Sequence, residues 1–321
     1  MKKNNKHKVS TQLHIPQPPK AKKRKEKLPC ESLKSIKDEP QAVKRVENLM
    51  KSPSYRAADR DPNFLRDDSV RGVRLQIDYL KAELLLQEHG VEQTIVVFGG
   101  TRIVEKAEAS RNYHEAKESS DKDQDNKHLA QKLKAAINIL DKSHYYDIAR
   151  DFGKIVGNSG KGPSDCKVTI MTGGGPGIME AANRGAFDVG AKSIGLNITL
   201  PKEQFPNPYI SPELCFKFHY FSMRKLHFLK RAKALVAFPG GFGTIDELME
   251  ALTLIQTRKI SPIPIILVGE EFWKEVINFD YLLNEGVIDA EDMELFWYAQ
   301  SAEEIWDSII QWHVKNGQPL L

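Results

Sequence analysis

The stretch "VAFPGGFGTIDELMEAL", residues 236–252, constrains the fold more tightly than any other part of the chain. The run Ala234-Leu235-Val236-Ala237-Phe238 is continuously apolar, as a strand covered on both faces must be. Ile245, Leu248, Met249 and Leu252 then recur at helical spacing. Pro239, Gly240, Gly241 and Gly243 lie between the two, and glycines let a backbone approach another group closely. Two further apolar runs end the same way, "TIVVF" at Gly99-Gly100 and "KVTIMT" at Gly173-Gly174-Gly175. In a parallel sheet all three turns leave by one edge, and ligands bind beyond that edge.

The remaining pattern agrees. Val73, Ile77, Leu80 and Leu84 share a helical stripe that Gly90 stops. Residues 145–157 and the segment after Gly177 read as helices, "KSIGLNITL" (192–200) and "CFKFHYF" (215–221) as strands. "MRKLHFLKRAK" (223–233) reads as a basic helix and "IPIILVG" (263–269) as a strand, and helical patterns near residues 272–283 and 302–315 close the chain. Alternating strands and helices predict an α/β fold, a doubly wound, mostly parallel Rossmann-like sheet with helices on both faces. Residues 105–128 are charged, lack a sustained period and are expected to form an exposed insertion. The expected domain is 56–321, with an N-terminal helical extension.

Charge is unevenly placed. Residues 1–60 hold 17 Lys+Arg and 6 Asp+Glu, so they carry +11 of a total of +4 and the rest carries −7. Residues 1–55 read as a basic tail too poor in apolar pattern to fold, able to contact an anionic partner. No apolar run reaches the roughly 18 residues that span a bilayer, so no membrane insertion is expected. Cys30, Cys166 and Cys215 lie far apart with neither metal nor disulfide spacing, which points to a cytoplasmic setting.

Several chemistries are absent. Gly173-x-Gly175 is followed at the third position by Ile178 rather than glycine, so it is not a dinucleotide fingerprint. There is no phosphate loop of the Gly-Lys-Ser/Thr type, no zinc-binding His-Glu-x-x-His and no Gly-x-Ser-x-Gly elbow. The Gly173–Gly175 turn is read either as a nucleotide site or as a tight strand–helix connection. A helix N-terminus near Gly243-Thr244 favours an anion, yet Asp246 and Glu247 follow it. On spacing alone Thr244-Ile245-Asp246-Glu247 is a capping box, with Glu247 bonded back to the helix start. Arg224 and Lys225 are either functional cations or a solvated face.

Two stretches taken together go further. "PGGFGTIDE" (239–247) resembles the Pro-Gly-Gly-x-Gly-Thr-x-x-Glu signature of the LOG ("Lonely guy") phosphoribohydrolases, many once labelled lysine decarboxylases. "MRK" (223–225) is similar to that family's Met-x-x-Arg-Lys region, and "GGGPGIMEAANRGA" (173–186) to its other glycine turn. The resemblance spans about residues 94–270. It implies hydrolysis of the N-glycosidic bond of a nucleoside 5′-monophosphate to free base and ribose 5-phosphate. It assigns catalysis to Arg224 and Glu247. Substrate binding falls to Gly99, Gly100, Gly174, Gly175, Met223, Lys225, Pro239, Gly240, Gly241, Gly243 and Thr244. It implies a homodimer and calls for no metal and no cofactor; nothing in the motifs supplies the pyridoxal arrangement a lysine decarboxylase needs. The alternative is a non-catalytic carrier of a nucleotide or molybdopterin cofactor on the same fold.

Overall fold

The computed structural model describes residues 27–165, 167–201 and 205–321. The chain divides into two units, residues 1–70 and 71–321. Residues 1–26 of the expected tail lie outside the described residues. Within the same tail, residues 42–50 form a helix, α1 (Ala42–Met50), so this part is not structureless. Its Val43, Val46 and Met50 make one short stripe inside a basic run, too brief to stand out by period. A short helix follows, α2 (Pro62–Arg66), with Pro62 at its first position. The Asp61 carboxylate caps it, accepting from the N–H groups of Asn63 at 3.0 Å and Phe64 at 3.3 Å.

The second unit opens with α3 (Arg71–Glu88), β1 (Gln93–Phe98), α4 (Lys106–Lys122), α5 (Lys127–Lys142) and α6 (His144–Gly157). Next come β2 (Val168–Thr172), α7 (Ile178–Asp188), β3 (Ser193–Ile198), β4 (Cys215–Phe218) and α8 (Phe221–Lys230). The chain continues through β5 (Ala232–Ala237), α9 (Phe242–Gln256), β6 (Ile265–Val268), α10 (Glu270–Val276) and α11 (Phe279–Asn284). It ends with β7 (Trp297–Ala299) and α12 (Ala302–Lys315). The seven strands form one sheet in the order β4-β3-β2-β1-β5-β6-β7, every pair parallel. The fold is the doubly wound α/β architecture that the alternation predicts. Strand β7 was not anticipated: three residues are too few to establish a period.

This order positions everything that follows. From β1 the chain builds outward to β4, then returns to lay β5 against the other side of β1 and builds outward to β7. The direction reverses between β1 and β5, where the loops leaving the two strands part to opposite faces and open a crevice. Alternation within each strand feeds two cores. Val96, Phe98, Leu235 and Ala237 join one that includes Phe228 of α8, Leu248 and Ala251 of α9 and Trp273 of α10. Ile95, Val97, Ala234 and Val236 join the other, with Tyr146 and Phe152 of α6, Ile178 of α7 and Ile305 of α12.

Two local expectations are refined. The stripe Val73, Ile77, Leu80 and Leu84 does lie along α3, but all four residues are exposed. The face that enters the core carries Ala82, Glu83 and Leu86. Glu83 can sit there because Arg231 pairs with it through both carboxylate oxygens, at 2.8 and 2.9 Å, and Lys230 adds a contact of 2.9 Å. The hydrogen bonds from Arg231 outweigh burial and hold its carboxyl down at about 2. The exposed segment at 105–128 belongs to a helical hairpin, α4 and α5, with the Asn126 side chain capping α5. Ala109 is the one buried residue of the pair, so a helix built from good helix formers without an apolar face left no periodic signal. No helix among the described residues is long and apolar enough to cross a membrane.

Candidate active site

Three glycine turns follow the adjacent strands β2, β1 and β5, and hydrogen bonds lace them together. Phe238 N–H donates to the Phe98 carbonyl at 2.9 Å, and Gly100 N–H donates to the Pro239 carbonyl at 2.8 Å. Ile178 N–H, at the start of α7, donates to the Gly100 carbonyl at 3.2 Å. A side chain would not fit at Gly240. A Cβ on Gly240 would fall 2.7 Å from Cβ of Thr244 and 3.0 Å from Gly100 N. Gly177 has φ +74° and ψ −130°, a conformation that essentially only glycine adopts.

A buried polar network fixes the β2 turn from below. Gly174 N–H donates to Thr172 Oγ1 at 3.0 Å, and that hydroxyl donates to Asn183 Oδ1 at 2.7 Å. Asn207 donates from its backbone N–H to Gly174 O at 2.9 Å and from Nδ2 to Gly175 O at 3.1 Å. Asn207 Nδ2 also reaches Asn183 Oδ1 at 3.0 Å. The sequence reading missed Asn183 and Asn207. A residue of modest helix propensity inside an apolar helical pattern, as Asn183 is, was the available signal.

Helix α9 starts earlier than the capping-box reading requires. Its N-cap is Gly241 and its first residue Phe242, and no side chain caps it. The first intrahelical bond is donated by Thr244 N–H to the Gly241 carbonyl, at 3.0 Å. The N–H groups before it have no acceptor within the helix, the arrangement that accepts an anion. Thr244 is therefore inside the helix, and Glu247 lies in the second turn rather than reaching back to the start. Its carboxylate is free of the capping duty that its spacing indicates.

Glu247 is only 6% exposed. Its Oε1 lies 3.7 Å from Arg224 Nη2 and its Oε2 lies 3.9 Å from Lys225 Nζ. Both distances are loose for ion pairs. Burial pushes the Glu247 carboxyl up to about 7 against the pull of Lys225 and Arg224. Burial also lowers Arg224, opposed by Glu247 and Asp246. Arg224 lies over the ring of Phe221 at 4.9 Å and near that of Phe228 at 5.5 Å. Its Nε–H is buried without a hydrogen-bond partner among the described residues. Burial would lower Lys225 as well, but its partners, Asp246 at 2.7 Å and Glu250 at 2.9 Å, raise it on balance. Lys225 is thus largely committed to carboxylates of α9, and Arg224 is the less satisfied cation. Glu250 was also missed in the sequence, although it stands one turn beyond Glu247.

The expected residues therefore fall on elements that meet at one sheet edge. Gly99, Gly100, Pro239, Gly240, Gly241, Gly243 and Thr244 form the β1–β5 junction; Gly174 and Gly175 form the neighbouring turn; Arg224 and Lys225 come from α8. Met223 packs against the apolar core. Among the described residues no group of three or more His, Cys, Asp and Glu side chains is placed to hold a metal ion.

A helix start with unpaired N–H groups, a partly satisfied arginine and a buried carboxylate of raised pKa thus lie near the switch point of the sheet. Residues 179–309 match the protein family described as "Possible lysine decarboxylase". The chain is 28% identical over 170 residues, 51% of its length and 74% of the relative's, to the cytokinin riboside 5′-monophosphate phosphoribohydrolase LOG3 of Arabidopsis thaliana. It is 29% identical over 139 residues to the probable phosphoribohydrolase of the same description, LOG4, of Oryza sativa subsp. japonica; that match covers 42% of this chain and 59% of the relative. It is 30% identical over 132 residues, 38% of this chain and 28% of the relative, to the pyrimidine/purine nucleotide 5′-monophosphate nucleosidase of Escherichia coli (strain K12). Over about half of its length or less, the chain is thus similar to LOG phosphoribohydrolases.

The raised Glu247 pKa has a consequence for stability. The folded protein holds this proton up to about pH 7, whereas the ordinary value is 4.5. Between those values the folded state binds more protons than the unfolded state, so the Glu247 contribution falls as pH rises through the window. Glu247→Gln removes the effect. Urea denaturation should find the variant more stable than wild type at about pH 8, by on the order of 2–3 kcal/mol, and nearly equal at about pH 4.5. A variant less stable at the higher pH would mean that the ionised carboxylate is a net stabiliser.

Proposed function

We propose that the protein hydrolyses the N-glycosidic bond of a nucleoside 5′-monophosphate, AMP or a related purine nucleotide, to free base and ribose 5-phosphate. The observation that carries this reading is Glu247: a buried carboxylate that caps nothing, beside a phosphate-accepting helix start and Arg224. The 5′-phosphate occupies the N–H groups at the start of α9, with Gly240, Gly241, Gly243 and Thr244 around it. Holding the phosphate there places the sugar against Glu247. The C1′–N bond breaks with its electron pair going to the base, and positive charge develops on the ribose ring. The Glu247 carboxylate stabilises that charge and takes a proton from the attacking water, whose oxygen bonds to C1′. A proton is returned to the departing base. Arg224 favours the ionised form of Glu247 against the effect of burial. A carrier that only binds the nucleotide has no use for a buried carboxylate beside the sugar position.

The mechanism needs Glu247 ionised, and its pKa is about 7. The value of kcat/KM for AMP should therefore rise through an acid limb centred near pH 7 and level off above it. Glu247→Gln should lower kcat by ~10²- to 10⁴-fold while the protein stays folded. Near-wild-type base release by the variant would remove Glu247 from the chemistry, and binding without turnover in the wild type would favour the carrier.

The phosphate should be required. AMP should be cleaved ~10²-fold or more faster than adenosine at equal concentration, since only AMP is anchored by its phosphate. Equal rates would place the anion site elsewhere.

Homodimerisation is part of the proposal, as is contact between the basic residues 1–60 and an anionic partner that salt would weaken. Exposed apolar side chains at the site, Phe221 and Leu226 on α8 and Phe242, 93% exposed, at the start of α9, support a self-complementary surface. Light scattering of the full chain at micromolar concentration should report twice the monomer mass; monomer alone would refute the dimer.

A further inference from the structure

We propose that Asp78 is a positioning residue for this reaction: from α3 it binds the backbone at the entry to α8 and so holds Arg224 at the distance from Glu247 that the site requires. The proposal rests on the role given to Arg224 above. Helix α8 has no cap of its own, since its N-cap residue is Tyr220 and no side chain from the segment serves it. The Asp78 carboxylate, 142 positions from Tyr220 in sequence, instead fixes the two residues that lead into the helix. It accepts from Tyr220 N–H at 2.9 Å and from His219 N–H at 3.1 Å. One turn earlier on α3, Arg74 Nε donates to the Tyr220 hydroxyl at 2.9 Å. Both ends of the Tyr220 residue, backbone and phenol, are thereby tied to α3.

The tie passes directly to Arg224. The Tyr220 carbonyl accepts the N–H of Arg224 at 3.3 Å, in the first turn of the helix. A negative charge near a helix N-terminus is favoured by the dipole, whereas cations there are not, so Asp78 offsets the placing of Arg224 and Lys225 near that end. The far end of α8 is held by the same helix. Glu83 takes Arg231 and Lys230, His227 Nε2–H donates to the Tyr79 carbonyl at 3.1 Å, and Lys230 reaches the Tyr79 hydroxyl. Helix α3 thus grips α8 at both ends. Asp78 is the contact nearest the functional side chain, and it lies outside residues 179–309 that match the family.

The test compares wild type, Asp78→Ala and Asp78→Asn in the full chain. Steady-state base release from AMP and hydrogen exchange of the 219–224 amides are measured for each. Alanine removes the acceptor and asparagine keeps one. Asp78→Ala should lower kcat by ~10- to 100-fold with KM for AMP within about twofold of wild type, because the phosphate site on β5 and α9 is untouched. Exchange at 219–221 should accelerate in the same variant. Asp78→Asn should restore most of both, which a mere loss of fold stability would not produce. Wild-type kcat in Asp78→Ala, or an equal loss in Asp78→Asn, would overturn the proposal. If wild type releases no base, the proposed reaction fails, and the exchange data alone decide whether Asp78 holds α8; unchanged exchange in Asp78→Ala overturns it.

Discussion

The hydrogen bond from Gly100 N–H to the Pro239 carbonyl, 2.8 Å long, joins the ends of β1 and β5 where the winding of the sheet reverses. A reversal opens a crevice, but a crevice alone is not a site. This bond, with that from Phe238 N–H to Phe98 O, keeps the two strand ends in register just beyond the sheet. Helix α9 must then begin where the glycines end. From beneath, Trp273 secures the same region, its indole N–H shared between the carbonyls of Ala237 and Val268. The turn that leads into α9 is therefore tied to the sheet edge on both sides.

These ties at the edge allow the molecule to bury a charge that would otherwise escape to water. Glu247 and Arg224 approach to 3.7 Å, too far for a tight bidentate pair, and burial drives their pKa values toward each other. Collapsing the pair would satisfy both groups and remove both from use. Lys225, drawn off by Asp246 and Glu250, does not neutralise Glu247 either. The unsatisfied state persists because each partner is anchored by its own helix: α9 by the β5 turn, α8 by α3. Local strain of this kind is tolerated where surrounding structure over-determines the geometry.

A second consequence concerns the β2 turn. Two asparagines, Asn183 from α7 and Asn207 from the segment after β3, occupy the buried polar positions under Gly174 and Gly175. Each unmet polar group there would be costly, so the network is either complete or destabilising. Its bonds converge on Asn183 Oδ1, which accepts from both Thr172 and Asn207. The backbone of this glycine turn owes its shape to side chains distant in sequence as much as to the glycines themselves.

Periodicity and glycine placement were enough to determine the α/β class, six of the seven strands and the three glycine turns at one edge. These are local properties: an apolar run buried on both faces and a glycine turn are written within ten residues of chain. Short β7, the polar helix α4 and the helix at 42–50 left too little pattern to read. That Glu247 does not cap its helix was decided only in three dimensions. Its spacing from Thr244 indicates a cap, and a cap needs the helix to begin at Thr244. The helix begins at Phe242 instead, because the β5 turn closes on Gly100 of another strand. The outward turn of the α3 stripe and the bonds from Asp78 to the backbone ahead of α8 are likewise tertiary. Each depends on which face of one helix meets another element far away in sequence, and no local pattern carries that information.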